Sequence, residues 1–265
     1  MGVWPKIAIA IIVAEIIVSL FPQLFTKYSS TAIDLSNRLA PPSTQHILGT
    51  DSLGRDVFTR LLYAIRYSLA VAALSLAIAF SLGVVLGGLS AIAGGYIDSA
   101  LSILFNTIYT IPGLFTAAAI SIVVGPNVIG ASIAIGLSLA PIFYRFSRSA
   151  AKEILTKPYI EAAKALGAST SWIITRYIVW ELAKPLLTTS IYLLSDAIAF
   201  EASLSILGLG VQPPTPTLGN MIAEYREYIF TAPYLLLAPV TVIAITISSL
   251  NTLANKLLSN PIEVP

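Results

Sequence analysis

The sequence predicts an all-α polytopic membrane protein with six transmembrane helices. Its 265 residues are 56% hydrophobic and 11% charged, and their mean hydropathy is +0.85. Soluble domains carry about one quarter charged residues, so this chain has too few charges to cover a water-soluble surface. Apolar segments long enough to cross a bilayer recur along it, and a mostly basic island at 145–184 interrupts them.

Six segments approach the roughly 20 apolar residues that a helix needs to cross a bilayer. They lie at about 3–25, 69–93, 101–124, 128–146, 185–207 and 232–253. Turn-forming residues separate them, such as Gly94 and Gly95 after the second and Gly125 and Pro126 after the third. No small-residue cleavage site follows the first apolar run, which favours a retained span over a signal peptide.

The charge distribution predicts the orientation of the chain. The island at 145–184 carries seven basic and three acidic residues, whereas the segment 27–66 carries five basic and three acidic residues. Six spans place these two segments on opposite faces, and the positive-inside bias puts the island in the cytoplasm. We therefore expect both termini in the cytoplasm and the 27–66 loop outside the cell.

The composition excludes several kinds of site. The chain has no cysteine, so it has no disulfide, thiolate nucleophile or cysteine-bound metal. His46 is the only histidine, which argues against a zinc site. A net charge of +2 gives no ground for a nucleic-acid partner. No Gly-x-x-x-x-Gly-Lys-Ser/Thr loop occurs, so we expect no ATP site and no cofactor bound by this chain.

Within the island, the sequence predicts a short helix at about 158–166. Pro158 suits the first helical position, where its missing N–H is not needed. Glu161 in the first turn complements the positive end of the helix dipole. Gly167 fits just past the end, where the backbone is often left-handed.

One face of this short helix carries Tyr159, Ala163 and Leu166 at helical spacing, with Ile160 beside them. A second helix, capped by Ser169 or Thr170, would follow it to the end of the island. Together they predict a helix-turn-helix along the cytoplasmic surface. The residues alone support equally a first helix that enters a groove on a partner and an amphipathic loop that rests on lipid.

The stretch that contains Glu161, Ala162, Ala163 and Gly167 resembles the cytoplasmic motif of ABC importer permeases. This resemblance implies the transmembrane domain of a type I ABC importer. In that family the short helix docks in a groove of an ATPase subunit and transmits its movement to the membrane. The implied coupling residues are Tyr159, Glu161, Ala162, Ala163, Leu166 and Gly167.

Two other segments resemble the dipeptide/oligopeptide-type permeases, namely 46–66 before the second span and 201–221 at the end of the fifth. The resemblance then covers nearly the whole chain and is to the C-type subunit. The chain departs from the family pattern at 177–180, where Tyr-Ile-Val-Trp stands in place of Ile-x-Leu-Pro and a proline follows only at Pro185. The path of the chain after Gly167 therefore stays open.

This resemblance implies a permease subunit that forms half of the translocation pathway of an ATP-driven importer. The implied partners are a second related permease, two ATPase subunits that use ATP and Mg²⁺, an extracellular solute-binding protein and membrane lipid. The implied solute is a di- or oligopeptide, and relatives also carry sugars or metal chelates. The chain itself is not expected to be an enzyme.

The resemblance also divides the chain into four parts. They are a peripheral first transmembrane helix at 1–26, an extracellular loop leading into the second span at 27–67, a type-1 core domain at 68–256 with its coupling loop at about 148–184, and a short cytoplasmic tail at 257–265.

A different class of protein, an ion-gradient-driven secondary transporter, would use Glu15, Asp196 and Glu201 as intramembrane ligands. It predicts inverted repeats, and the sequence shows none. An intramembrane enzyme would need a catalytic set, which is also missing. Glu15 interrupts the first span, and two interpretations stay open for it: a contact with another subunit or a protonated, buried acid.

Further structural or pathway candidates are Asp51, Arg55, Asp56, Arg60, Arg66, Asp196 and Glu201. Asp51 and Asp56 lack the alternating ligands of a calcium loop. We predict instead a fixed turn in which Gly49 and Gly54 adopt unusual dihedral angles. Arg55 would pair with a carboxylate in this turn.

Glu201 lies late in the fifth span, where an ionised carboxylate facing lipid would be costly. We hypothesise that Glu201 pairs with Arg55, Arg60 or Arg66. Asp196 lies five residues earlier and deeper in the membrane. It can face the translocation path, face the second permease, or stay neutral between helices.

Overall fold

The computed structural model describes residues 3–259, which form ten α-helices and no β-strand. The helices are α1 (Val3–Leu20), α2 (Val57–Ala93), α3 (Gly95–Thr110), α4 (Gly113–Val124), α5 (Val128–Leu155), α6 (Pro158–Ala165), α7 (Thr170–Ile173), α8 (Val179–Ile206), α9 (Leu218–Tyr225) and α10 (Pro233–Ser259). A π-helical segment, Ile174–Ile178, joins α7 to α8. The predicted all-α fold is confirmed.

Five of the six predicted crossings are apolar enough to span a membrane within the described residues. Helices α1, α2, α5 and α10 each meet this condition alone, and α3 and α4 meet it together. The sixth, α8, has 28 residues and a length of about 42 Å at 1.5 Å per residue. Asp196 and Glu201 lie within α8 and lower its hydropathy.

The third predicted span, 101–124, is not one straight helix. Its two parts, α3 and α4, are bent by 99° relative to each other. Ile111 between them is extended, with φ −86° and ψ 129°. The following Pro112 explains this, because a proline disfavours the helical conformation of the residue before it and cannot donate a backbone hydrogen bond.

Several helix ends differ from the apolar limits read from the sequence. Helix α2 begins at Val57 instead of residue 69, and α5 continues to Leu155 instead of 146. The two limits differ because they measure different properties. A helix continues as long as its backbone groups are hydrogen-bonded or capped, whereas the hydropathy of a segment falls as soon as charged residues appear. Helix α1, in contrast, ends at Leu20, just before Phe21 and Pro22.

Two ends of the bundle can be defined from the packing. At one end, Val57 and Leu61 of α2 pack with Met221 of α9 and Leu235 of α10. At the other end, α5 leads through a short turn into α6. We refer to these as the α9 end and the α6 end.

Helices α2 and α5 approach each other closely at glycines of α2. A Cβ atom on Gly87 would lie 2.1 Å from the Ser147 Oγ and 2.6 Å from the Tyr144 carbonyl oxygen. A Cβ atom on Gly83 would lie 2.6 Å from the carbonyl oxygen of Ala140. Small residues at such positions allow two backbones to come together in a membrane, so α2 and α5 form a closely packed pair.

We expect Gly87→Ala to lower the free energy of unfolding by about 1–3 kcal/mol, because the added methyl group overpacks this contact. The matched control is Gly88→Ala, since nothing lies within 4 Å of a Cβ atom at Gly88. This control should be neutral or slightly stabilising, because alanine favours helices over glycine. Thermal unfolding of the detergent-solubilised variants measures both effects. Equal melting temperatures for the two would contradict the close contact.

Candidate functional site

Helix α6 is a short element with well-defined ends. Pro158 occupies its first turn, and the backbone turns left-handed at Gly167, with φ +86°. The Gly167 N–H donates to the Lys164 carbonyl at 3.0 Å, and the Ala168 N–H donates to the Ala163 carbonyl at 3.0 Å. These bonds satisfy carbonyls that the helix end would leave free. The predicted helix at 158–166 is confirmed to within one residue.

Helix α6 packs on the bundle through one face and exposes the other. Ile160 is fully buried and Ala163 is also buried, whereas Leu166 is 90% exposed. Glu161 and Ala162 are exposed as well. Of the predicted apolar face, Tyr159 and Leu166 are therefore exposed and available to a partner, whereas Ala163 and the neighbouring Ile160 pack against the bundle.

A groove of about 580 Å³ runs beside α6 and α7. Its lining includes Tyr159, Ala162, Leu166, Gly167 and Trp172. The groove lies on the outer side of the two helices, so it is open to a partner. Ser169 caps α7 by accepting the Trp172 N–H at 3.3 Å, as predicted.

The second helix of the island does not end at the surface. Helix α7 passes through the π-helical segment into α8, which crosses the bundle. The predicted second helix therefore begins as expected, but the helical segment continues past Lys184 instead of ending there. The departure from the family pattern at 177–180 explains why: those residues have no proline, so nothing interrupts the helix. Pro185 comes later and lies inside α8.

Glu181 of α8 anchors the beginning of α6. Its carboxylate accepts a hydrogen bond from the Lys157 Nζ at 2.9 Å and another from the Tyr159 hydroxyl. Sequence reasoning did not assign this role to Glu181, because the contact joins residues 24 positions apart. It fixes the start of α6 to the first turn of α8.

The pKa shifts of Lys157 and Glu181 define the pH range in which their ion pair persists. The hydrogen bond to Glu181 raises the pKa of Lys157 above its ordinary 10.5. Desolvation opposes the shift at Glu181, but the bonds from Tyr159 and Lys157 lower the pKa of Glu181 below its ordinary 4.5. The stability that Lys157 contributes is lost only as the pH rises through its raised pKa. The stability that Glu181 contributes is lost only as the pH falls through its lowered pKa. The anchor therefore persists across the neutral range.

A second charged cluster holds α2, α3 and α5 together at the α6 end. Asp98 of α3 accepts two hydrogen bonds from Arg148, at 2.5 and 2.7 Å, and one from the Lys152 Nζ at 2.6 Å. The Ser90 hydroxyl of α2 donates to Asp98 at 2.5 Å. Asp98 is the only charged residue between Arg66 and Arg145. That isolation is the sequence signal that could have identified it.

We expect Asp98→Asn to lower the free energy of unfolding by about 1–2 kcal/mol, because a neutral amide replaces the charge-assisted bonds to two basic side chains. Thermal unfolding at low and high salt would show a difference that shrinks with salt. Glu153→Gln on the exposed side of α5 is the matched control and should have no effect. A salt-independent loss in Asp98→Asn would argue against an electrostatic clamp.

At the α9 end, the predicted turn is confirmed. Gly49 and Gly54 have φ values of +71° and +73°. The Arg55 Nε donates to Asp51 at 2.6 Å. Asp56 caps α2 by accepting the Thr59 N–H at 2.7 Å, so both aspartates have structural partners.

A buried ion cluster extends from this turn to α9. Arg60 is fully buried, and its Nη2 donates to Glu224 at 2.9 Å. Arg55 donates to the same carboxylate at 2.8 Å. Asp51, also fully buried, lies 3.5 Å from the Arg60 Nε. Sequence reasoning missed Glu224, which no local pattern links to residues more than 160 positions earlier.

Glu201 does not pair with an arginine, so that hypothesis is wrong. Its carboxylate accepts hydrogen bonds from the hydroxyls of Ser68 at 3.0 Å and Ser205 at 2.9 Å. The Ser68 oxygen also accepts the Leu218 N–H at 2.9 Å. Two of the three proposed arginines, Arg55 and Arg60, belong instead to the buried ion cluster with Asp51 and Glu224. Arg66, the third, is exposed and has no ion pair within residues 3–259.

Two further carboxylates lie in the spans. Asp196 is exposed on α8 and makes no hydrogen bond or ion pair with the described residues. Glu15 of α1 accepts a hydrogen bond from the Thr246 hydroxyl of α10 at 2.7 Å. Its other oxygen is buried and has no partner among residues 3–259. Glu15 and Arg66 line the same cavity, of about 400 Å³.

The arrangement defines a class of protein. The bundle is similar to a solved chain of the MetNI methionine ABC transporter in an inward-facing conformation, with a TM-score of 0.62 and 18% sequence identity. That likeness covers 75% of this chain and 94% of the solved chain. The bundle therefore shares its fold with a chain of an ABC transporter.

Sequence comparison identifies the family. Residues 79–259 match the family described as binding-protein-dependent transport system inner membrane component, and the chain belongs to it. It is 34% identical to the dipeptide transport system permease protein DppC of Alkalihalophilus pseudofirmus, over 95% of this chain and 83% of that protein. It is 31% identical to the glutathione transport system permease protein GsiD of Shigella dysenteriae, over 93% and 82%. The predicted family and fold class are confirmed, and the chain is a multi-pass permease subunit.

Proposed function

We propose that this permease forms half of the pathway of an importer for di- or oligopeptides. The printed names of the relatives, a dipeptide permease and a glutathione permease, support a peptide solute. A solute-binding protein outside the cell would deliver the peptide. The relatives are permease subunits, and we infer that this chain is likewise not an enzyme and binds no cofactor.

The geometry of α6 is the main support for its proposed role in coupling to the ATPase subunits. Ile160 fixes the helix to the core and Glu181 fixes its beginning, while Glu161, Ala162 and Leu166 remain exposed. A helix held at its base and open on its outer side can enter a groove on a partner. The proposed coupling residues are Tyr159, Glu161, Ala162, Ala163, Leu166 and Gly167. Ala163 would act from the inner side, where its small size lets α6 lie close to the bundle.

The proposed complex has five subunits or more. It comprises this chain, a second related permease, two ATPase subunits that use ATP and Mg²⁺, and the extracellular binding protein. The two permeases are embedded in lipid, and the ATPase subunits and the binding protein are not. No nucleic acid takes part. We place the α6 end and both termini in the cytoplasm, because the basic island flanks α6.

The division of the chain follows the same proposal. Residues 1–26 form a peripheral helix, 27–67 an outer loop leading into the second span, and 68–256 the transport core. The coupling loop lies at about 148–184. Of the proposed cytoplasmic tail, 257–265, residues 260–265 lie outside the described residues.

Movement would enter the membrane through the helices on either side of α6. ATP closure of the ATPases would shift α6, which continues from α5 and is tied to α8 by Glu181. The bonds from Arg148 and Lys152 to Asp98 would pass the shift of α5 to α3. Such a switch requires that the ATPases bind the two conformations with different free energies.

Reconstitution of the whole complex in proteoliposomes tests this function. We expect uptake of labelled alanyl-alanine only when ATP and the loaded binding protein are both present. Uptake that followed an imposed ion gradient without ATP would contradict it. The chain has no cysteine, so Glu153→Cys, on the exposed side of α5, provides a single label in this chain at the α6 end. An impermeant thiol reagent should modify it in inverted membranes and not in intact cells.

A further inference from the structure

One face of α8 is polar in the middle of the membrane. Thr189, Tyr192, Asp196, Ala199 and Ser203 recur at spacings of three and four residues, which places them on one face of the helix. Asp196 is exposed and the other four are half-buried. We refer to these five residues as the α8 stripe. A face in contact with lipid would be apolar, so the α8 stripe faces water or protein.

The length of α8 lets us infer the depth of Asp196 in the bilayer. Asp196 precedes the end of α8, at Ile206, by ten residues, or about 15 Å at 1.5 Å per residue. The hydrocarbon core is about 30 Å thick. An ionised carboxylate at this depth needs either water or a cation beside it.

The chain itself supplies no such partner within residues 3–259. Glu201 accepts two serine hydroxyls and Glu15 accepts a threonine hydroxyl, whereas Asp196 has neither a hydrogen bond nor an ion pair. The polar side chain one turn away, Tyr192, already donates to the Asn255 Oδ1 of α10 at 2.6 Å. The charge on Asp196 is therefore available to something outside this chain.

We infer that the α8 stripe lines the translocation path and that the Asp196 carboxylate binds the cationic amino group of the peptide. This inference rests on the proposed function. A positive amine complements the free carboxylate, and the hydroxyl group of Thr189 can bond to a peptide amide. The hydroxyl groups of Tyr192 and Ser203 already donate within the chain, but their oxygens can still accept a hydrogen bond from a peptide N–H. A site used in passage must bind weakly enough to release its cargo, and a carboxylate that is exposed on the helix surface meets that condition.

The character of the α8 stripe favours a path over a permanent contact with the second permease. Helices that stay together in a membrane usually meet through small residues, which let their backbones approach. Here the bulky Tyr192 and the charged Asp196 occupy the centre of the face. Burying Asp196 in a fixed contact would also remove its carboxylate from water at a large desolvation cost.

Single-cysteine labelling in the complete reconstituted complex tests the position of the α8 stripe. Ala199→Cys should react with a cationic, water-soluble methanethiosulfonate in at least one nucleotide state. Leu237→Cys, on an exposed apolar part of α10, should stay unreactive because lipid covers it. An Ala199→Cys variant that is unreactive both with and without ATP would overturn the inference.

Protection by solute tests the role of the charge. Alanyl-alanine should slow the labelling of Ala199→Cys severalfold, and N-acetyl-alanyl-alanine, which lacks the cation, should not. Adding Asp196→Asn should abolish the protection, and Asp196→Glu should keep it. Equal protection by the two peptides, or protection that survives Asp196→Asn, would overturn the inference. The labelling experiment does not depend on ATP-driven uptake, so it tests only this inference. Failure of the proposed function would appear in a different experiment, as a wild-type complex that imports no dipeptide.

Discussion

Replacing Arg60 by methionine is expected to lower the free energy of unfolding by about 3–5 kcal/mol, the range found when one partner of a buried ion pair is removed. Arg60 is fully buried between Asp51 and Glu224. Without its guanidinium, the buried Asp51 carboxylate keeps only Arg55 as a cationic partner. Methionine fills much of the same space, so the loss reports charge more than packing.

Chemical denaturation of the purified chain in detergent measures this effect. The matched control is Arg66→Met, less than two turns further along α2, where the arginine is exposed and has no ion pair within the described residues. We expect this control to change the free energy of unfolding by less than about 1 kcal/mol. Similar losses in Arg60→Met and Arg66→Met would show that the cluster does not stabilise the α9 end.

The second large effect is expected for Gly167→Trp, which should lower the recovery of ATPase subunits with the permease by about tenfold or more, equivalent to about 1.4 kcal/mol. Gly167 has φ +86°, and no atom lies within 4 Å of a Cβ atom placed on it. The indole would therefore project into the groove beside α6 and occupy the space proposed for the ATPase.

The control for backbone strain is Gly208→Trp. Gly208 has a similar φ of +76° and equally open surroundings, but it lies beyond the opposite end of α8. Gly208→Trp should copurify with ATPase subunits as the wild type does. Gly167→Asn adds a further comparison, because asparagine tolerates the left-handed conformation. Normal ATPase recovery with Gly167→Trp would remove the argument for docking at α6.

Features set by neighbouring residues could be predicted from the sequence. The limits of α6 follow from Pro158 and Gly167, which act through local backbone geometry. The turn with left-handed Gly49 and Gly54 and the pairing of Arg55 with a nearby carboxylate are equally local. In each case the physical cause lies within about five residues, so no tertiary information was needed.

Features set by packing could not be predicted. The burial of Ile160 depends on the space that the other helices leave for it in the core, and the anchor of α6 depends on Glu181 approaching from another helix. The partners of Glu201 were misassigned because depth along a span does not show which helix face meets which neighbour. The serines that bind it look like ordinary small residues in an apolar sequence. Glu224 could not be assigned either, because its arginine partners lie more than 160 positions earlier in the chain.

The bonds around Ser68 limit how this subunit can deform. A single hydroxyl oxygen contacts both Glu201 of α8 and the backbone of Leu218 at the start of α9. Sliding α2 against α8 would strip that carboxylate of a donor in a place that water does not reach, which is unfavourable. These two bonds therefore favour joint movement of α2, α8 and α9. In the proposed complex, we therefore expect the pathway to open at the boundary between this permease and the second one.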